Sequence, residues 1–383
     1  MKIRLLIIIS ILISNVNLFG QTKKSDDIFY SRYEGIVDSN FNVTANVVRL
    51  KDNISGNYNY HFTSIEESNS YSKSIYLTGE TNKNEYQFKE FGKNDTVLAG
   101  SIDKEKIEGY WYYEPNYDIP FNIIESYPSG SMPFDVHYLH SEDRLIVDMD
   151  ESPVAEIELT LIYPMANVDN NVVVDLVCQN IAEGFFGSNF YEYNPDSMLT
   201  KFENEYYKNY LDQNVDRYDS GASFNWQKIV SMSVINNSNY VVCLEFLKYA
   251  YSGGAHGMTN ISYYNIDLNS GKPMEYANIF IDDTTGLLST ILTQQLYDDK
   301  QIPEDISLTK AGYFVESLEP NHNIYINNTG IGFMYNSYEI APYSFGQTSI
   351  FLSYDKVKHL LKKDSPVYNL MKYKKPHDDC RGA

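Results

Sequence analysis

The residues best placed to do chemistry stand together in the run Tyr251-Ser-Gly-Gly-Ala-His-Gly257. A histidine among glycines between two apolar stretches admits three roles: a metal ligand, an acid–base residue or the anchor of a turn. Metal binding needs three or four convergent ligands, and no His or Cys lies at a telling interval from His256. Acid–base work needs a nucleophile or a water site plus an orienting group, and the chain offers Glu339 and Asp267 only as distant candidates. Phosphate cradling needs a helix directly after the glycines, and here another apolar strand follows. Gly253, Gly254 and Gly257 suit a tight multi-residue turn, which favours the structural role for His256. No G-x-S-x-G elbow or H-E-x-x-H pair occurs anywhere in the chain. No catalytic residue, metal site or cofactor is therefore expected. An unrecognised enzymatic site near His256 stays open as an alternative.

Other candidates are weaker. His137 and His140 form H-x-x-H without a following Glu, and read as loop histidines. His377 and Cys380 in the tail are too few for a zinc site. Cys178 and Cys243 lie inside expected regular structure, either bridged or, the favoured reading, as two buried thiols.

The elements that must position these residues fall into two groups. Between 30 and 125, eight short alternating segments divided by turns predict an all-β meander or small barrel. Gly56, Gly79, Gly100 and Gly109 within them are expected at bulges or bends. Trp111 is expected to plug the interior. Residues 126–152, with Pro128, Gly130, Pro133 and a charged run, read as a connection. From 153 the period changes. A strand is followed by two helices, then strands over 222–235 and 239–250 joined by "NNSN". A third strand over 258–268, a capped helix after "IDDTTG", a hairpin about "NNTG" and a last strand complete the pattern. This predicts an α+β domain on an antiparallel sheet, over 153–375, with a polar tail at 376–383.

Composition bounds the rest. Lys2 and Arg4 before the apolar run Leu5–Ile13 predict a signal peptide over 1–20, cleaved near Gly20, leaving the N-terminal β domain to begin at 21. Its removal takes the net charge from −21 to −23. Such acidity disfavours nucleic acid and anionic membranes; the plainer reading is that it keeps an exported protein soluble, and the sharper one that it attracts basic partners. No later stretch approaches a membrane span, so a periplasmic or secreted location is expected. The 35 tyrosines suit sheet faces and recognition surfaces.

Two blocks, "YSGGAHGMTNISYYNIDLNSGKPMEYANIF" and "YEIAPYSFGQTSIFLSYDKVKHLL", resemble the extracellular domain of RsiV-type anti-sigma factors, a domain that also precedes the catalytic module of certain peptidoglycan deacetylases. The resemblance covers about 153–365. It rests on Tyr251, Gly253, Gly254, His256, Gly257, Asp267 and Gly271, then Tyr338, Glu339, Ile340, Ala341, Pro342, Tyr343 and Gly346. It implies a binding or sensing domain, with Tyr251, Gly253, Gly254, His256, Tyr338, Glu339 and Tyr343 as candidate binding residues. In the anti-sigma factors the domain captures lysozyme, so the resemblance implies a lysozyme-like basic protein as partner. Cell-wall glycan, held on exposed tyrosines, is the alternative ligand.

Overall fold

The structure is a computed structural model. It describes residues 27–62, 74–91, 95–114, 117–165, 172–187, 190–192, 194–217, 224–282 and 284–371. The expected signal peptide, the polar tail, His377 and Cys380 lie outside those residues.

The first eight strands are β1 (Ile28–Val37), β2 (Phe41–Leu50), β3 (Asn53–Phe62), β4 (Ile75–Asn82), β5 (Glu85–Glu90), β6 (Thr96–Ile102), β7 (Lys106–Glu114) and β8 (Tyr117–Glu125). Each pairs antiparallel with the next, and β8 returns to β1, closing a barrel. Closure removes the sheet edges that a meander would expose. Inward positions carry Tyr33, Val47, Leu77, Phe88, Ile107 and Ile123, all buried. Trp111 closes the interior, packed among Phe41, Tyr58 and Tyr60. The remaining cavity, about 30 Å³, is lined mainly by aliphatic and aromatic side chains. The four strand glycines do not mark the bulges, which fall between Phe88 and Lys89 and between Tyr112 and Glu114. Instead the backbone of a neighbouring strand crosses tightly beside each. Gly100 and Gly109 face each other across β6 and β7, where any Cβ would meet a carbonyl oxygen.

The connection expected at 126–152 is corrected by the structure. Its middle is β9 (Phe134–Arg144), which pairs along its whole length with β10 (Val154–Pro164). The charged "HSEDR" run occupies the more exposed end of a strand, alternating with inward residues. His137 and His140 are thus strand residues and not loop residues. Three positions apart, they face opposite sides. His137 meets Asp196 at 2.7 Å and His140 meets Glu156 at 2.9 Å.

Beyond β10 come α1 (Val172–Phe186) and α2 (Pro195–Asn214), the latter capped by Asn194. They carry the chain across the sheet, so β11 (Trp226–Ser238) runs parallel to β10. That one parallel pair makes the sheet mixed, where sequence pattern alone predicted antiparallel pairing. The sheet continues antiparallel through β12 (Val241–Tyr251), β13 (Met258–Asp267) and the short β14 (Lys272–Pro273). The β11–β12 turn lies at Asn239 and Tyr240, both with positive φ. Asn236 and Asn237 of the expected "NNSN" turn sit inside β11, where Asn237 clamps the Met132 backbone through both amide atoms.

After the short α3 (Tyr276–Ile279) and the long α4 (Thr285–Lys300), a second sheet forms from β15 (Ile324–Ile326), β16 (Gly330–Tyr335) and β17 (Thr348–Ser353). Two apolar cores result. One lies between the six-stranded sheet and α1 and α2, the other between the three-stranded sheet and α4.

The barrel docks on this assembly through buried groups. Tyr30 and Val48 join the first core. Asn57 donates to the Val234 carbonyl at 2.8 Å, and Tyr76 donates to Glu245 at 2.6 Å. Cys178 and Cys243 are both buried and unbridged. Among the described residues, no helix is long and apolar enough to cross a membrane.

Candidate functional site

The site is built on the free edge of β13. Beyond β12, the backbone ladder of that edge continues among the described residues at Ile266 and Asp267, where β14 pairs, and Asn265 donates its side chain to the Ile324 carbonyl of β15. Side-chain amides meet much of the rest, with Gln347 donating to the Thr259 carbonyl at 3.3 Å. Asn336 accepts from the Ile261 N–H at 2.8 Å and donates to its carbonyl at 3.0 Å. Asn323 does the same for the Tyr263 N–H and the Ile261 carbonyl. Capping an edge this way prevents sheet-to-sheet pairing and fixes segment 336–347 against the strand.

The glycine run leads into that edge. Gly253 and Gly254 have φ of 99° and 97°, the left-handed region that glycine enters without strain. Tyr251, the last residue of β12, donates its hydroxyl to the Gly254 carbonyl at 3.0 Å. His256 Nδ1 donates to the Gly257 carbonyl at 3.0 Å, and the Tyr343 hydroxyl donates to the same oxygen at 3.0 Å. The His256 and Tyr343 rings stack at 4.0 Å with planes 19° apart. His256 is therefore a clamp between the turn and the 336–347 segment. Among the described residues no carboxylate hydrogen-bonds to it. Asp267 stands at the opposite end of β13, bonded within its own turn.

Six of the seven candidate residues gather here, and the seventh adjoins them. Tyr338, with φ 71°, projects beside Tyr343 at 5.8 Å between ring centres. A left-handed backbone at a bulky residue persists only where the surrounding structure fixes it, here through the Tyr338 N–H to Ala341 carbonyl bond. Glu339 points elsewhere, with Asn321 Nδ2 3.5 Å from its carboxylate.

Two residues that sequence reasoning missed complete the surface. Phe345 leans edge-on against Tyr313 at 5.3 Å, and Phe314 is held by its N–H bond to the Ile340 carbonyl at 2.8 Å. Phe314 belongs to the irregular segment after α4, where no periodicity marks an exposed aromatic. For Phe345 a signal existed: it lies two places from Tyr343, before Gly346. The outcome is an aromatic ledge. Phe314 is 56% exposed, Tyr338 49%, Phe345 41% and Tyr343 38%. Glu316, Glu319 and Glu339, all exposed, come from the same two segments. The Glu339 and Glu319 charges add to the burial that raises the Tyr335 hydroxyl, so both carboxylates act on the ground beneath the ledge. Among the described residues, no group of three or more His, Cys, Asp or Glu is placed to hold a metal ion.

The glycine run and the aromatic ledge fall in two different family matches. The model of the deacetylase PdaC family matches residues 151–259, which include the glycine run and His256. The model of a protein family of unknown function, DUF3298, matches 277–355, which include Tyr338 and Tyr343. The chain is thus related to the PdaC and DUF3298 families. Among individual proteins, the peptidoglycan-N-acetylmuramic acid deacetylase PdaC of Bacillus subtilis (strain 168) is 25% identical over 170 residues. That match takes in 44% of this chain and only 36% of the relative's length. A crystal structure of a DUF3298 family member from Bacteroides fragilis NCTC 9343 shares the fold, with a TM-score of 0.60 and 22% identity. It matches 64% of this chain and 99% of its own, so the common fold is complete without the remaining third. A DUF3298 family protein of Pseudomonas aeruginosa PAO1 matches 62% of this chain and 96% of its own, at a TM-score of 0.44 and 16% identity.

Proposed function

We propose that this protein is an exported, non-enzymatic binding protein of the cell envelope, and that the ledge over the β13 edge holds its partner. One observation carries the reading. Four aromatic side chains stand exposed on a braced frame, with acidic residues from the same segments, in a chain of net charge −21. Rigid aromatics with few rotatable bonds are the usual anchors of protein interfaces, and acidic surroundings steer a basic partner. A lysozyme-like basic protein fits both properties, and the resemblance to the RsiV-type domain supports it. His256 works as a structural clamp in this reading, with Nδ1 bonded to the Gly257 carbonyl and the ring stacked on Tyr343.

A second ligand is favoured by a separate observation, the similarity to PdaC, a protein named for its action on peptidoglycan. Sugar rings of cell-wall glycan stack on tyrosines, and Tyr338 and Tyr343 present such faces. Salt separates the two. Charge-steered binding of a basic protein weakens as ionic strength rises, while stacking of a glycan scarcely changes.

The test is calorimetric titration of the mature chain with hen lysozyme and, separately, with soluble peptidoglycan fragments, each at low and high salt. Lysozyme binding that weakens with salt, and falls by about 30-fold or more in Tyr343→Ala, is the expected result. Failure of both ligands to bind, or binding that ignores Tyr343→Ala and Tyr338→Ala, removes the ledge as the site. Release of acetate from the fragments overturns the non-enzymatic reading.

A further inference from the structure

The helix-facing side of the six-stranded sheet carries two lysines in unusual surroundings. Lys228 lies on β11 opposite Ala250, and Lys248 lies on β12 opposite Val230. They are therefore diagonal neighbours, a relation that places Cβ atoms about 7–8 Å apart on one sheet face. That face is fixed by period: Lys228 alternates with Val230 and Met232, and Lys248 with Phe246 and Leu244, all in the first core. Toward this end of the strands the helices no longer cover the sheet fully, and both lysines are half-buried.

Neither ammonium group has a carboxylate partner among the described residues. Lys228 instead sits over the rings of Phe202 at 5.0 Å and Tyr206 at 5.3 Å. The nearest carboxylates by register face away: Glu156 lies on the other side of the sheet, bonded to Gln227 and His140. Acidic residues outnumber basic ones 51 to 30 in this chain, so two neighbouring lysines without a carboxylate partner among the described residues stand out. Two like charges drawn together and partly desolvated are unfavourable until an anion joins them. Burial holds both lysines below their ordinary range, and at Lys248 the charge of Lys228 adds to the fall.

We infer that Lys228 and Lys248 form a binding site for an oxyanion, a carboxylate or a phosphate group carried on a larger ligand. Asn260 of β13 stands opposite Lys248 on the same face, is exposed, and offers an amide donor to the same anion. The ligand's body has a wall to lie against. Phe202, over which Lys228 sits, packs with Phe186 and Phe190 at 5.4 and 5.7 Å between ring centres, and Lys201 adds a third cation over the Phe190 ring. This site is on the sheet face opposite Glu245 and Tyr249, so it is separate from the ledge and does not depend on how the ledge is read.

The probes are inorganic phosphate and acetate, titrated against the intact mature chain and followed by calorimetry. Binding of either probe supports the site, and the stronger of the two identifies the group it takes. Lys228→Met and Lys248→Met are each expected to weaken that binding at least tenfold. Lys358→Met, whose lysine already pairs with Asp355 at 2.9 Å, should leave it unchanged. An absence of binding by the parent chain, or equal loss in the Lys358 variant, overturns the inference. Acylation by acetic anhydride, mapped by mass spectrometry, keeps the test open if a methionine variant does not fold. Phosphate or acetate should protect Lys228 and Lys248 in the parent chain more than the other lysines, and uniform protection rejects the site.

Discussion

The barrel and the α+β unit use aromatic residues in opposite ways. In the barrel, Phe41, Tyr58 and Tyr60 pack around Trp111, the first two edge to face, leaving about 30 Å³ of apolar space. In the α+β unit, Tyr338, Tyr343, Phe345 and Phe314 turn outward on irregular backbone. A closed barrel has no unpaired edge, its interior is filled by its own side chains, and it offers little room for a ligand inside. Beyond β13 the six-stranded sheet continues only in the two-residue β14, and the segment that caps the rest of the β13 edge presents the aromatic surface. Under the proposed function, the difference leaves support to the barrel and recognition to the α+β unit.

Trp111→Ala should strain that comparison most. Truncating a buried tryptophan typically costs about 3–5 kcal/mol, so thermal unfolding should fall sharply while lysozyme affinity, measured below the transition, holds. A parallel loss of affinity in folded material would show that the barrel shares in recognition.

The seam between the two regions gives the next test. Glu245 is buried, and accepts 2.6 Å hydrogen bonds from Tyr76 of the barrel and Tyr263 of β13. Burial raises its carboxyl above the ordinary range, with the two hydroxyls partly opposing the rise. The folded protein thus holds a proton that the unfolded chain releases. This contribution to stability is complete below the unfolded glutamate range and is lost as pH rises from there through the raised folded value. The slope is at most about 1.4 kcal/mol per pH unit for one proton. Glu245→Gln should remove this component from a series of unfolding curves, and an unchanged pH profile would refute the protonated seam.

Gly254→Val is expected to cost about 1–3 kcal/mol, because valine resists the positive φ of that turn, with nothing but backbone conformation at stake. His256→Ala should do least, about 0.5–1.5 kcal/mol for one hydrogen bond to Gly257, with ligand affinity changed only modestly. Differential scanning calorimetry and the lysozyme titration read both. Normal folding of His256→Ala with abolished binding would move the site from the ledge onto the imidazole itself.

Period and turn chemistry in the sequence determined most of the local architecture. Eight alternating segments separated by polar turns could only be satisfied as strands on a half-apolar sheet, and they close into the barrel. The hairpin about "NNTG", the helix after "IDDTTG" and the positive-φ turn at Gly253 and Gly254 follow from the same local rules. The seven candidate residues were nameable from two chain blocks that carried a resemblance, and the fold brings six of them onto one surface. Strand direction was not, because β10 and β11 become parallel only through the path that α1 and α2 take across the sheet. Nor was β9, whose exposed charges hide its inward alternation until β10 pairs with it. The meeting of His256 with Tyr343 is 87 residues apart in sequence and 4.0 Å in space, and Phe314 reaches the same surface from a segment without period. Contacts of that kind depend on which edges are left unpaired after the sheets form, a property of the whole packing and of no local stretch.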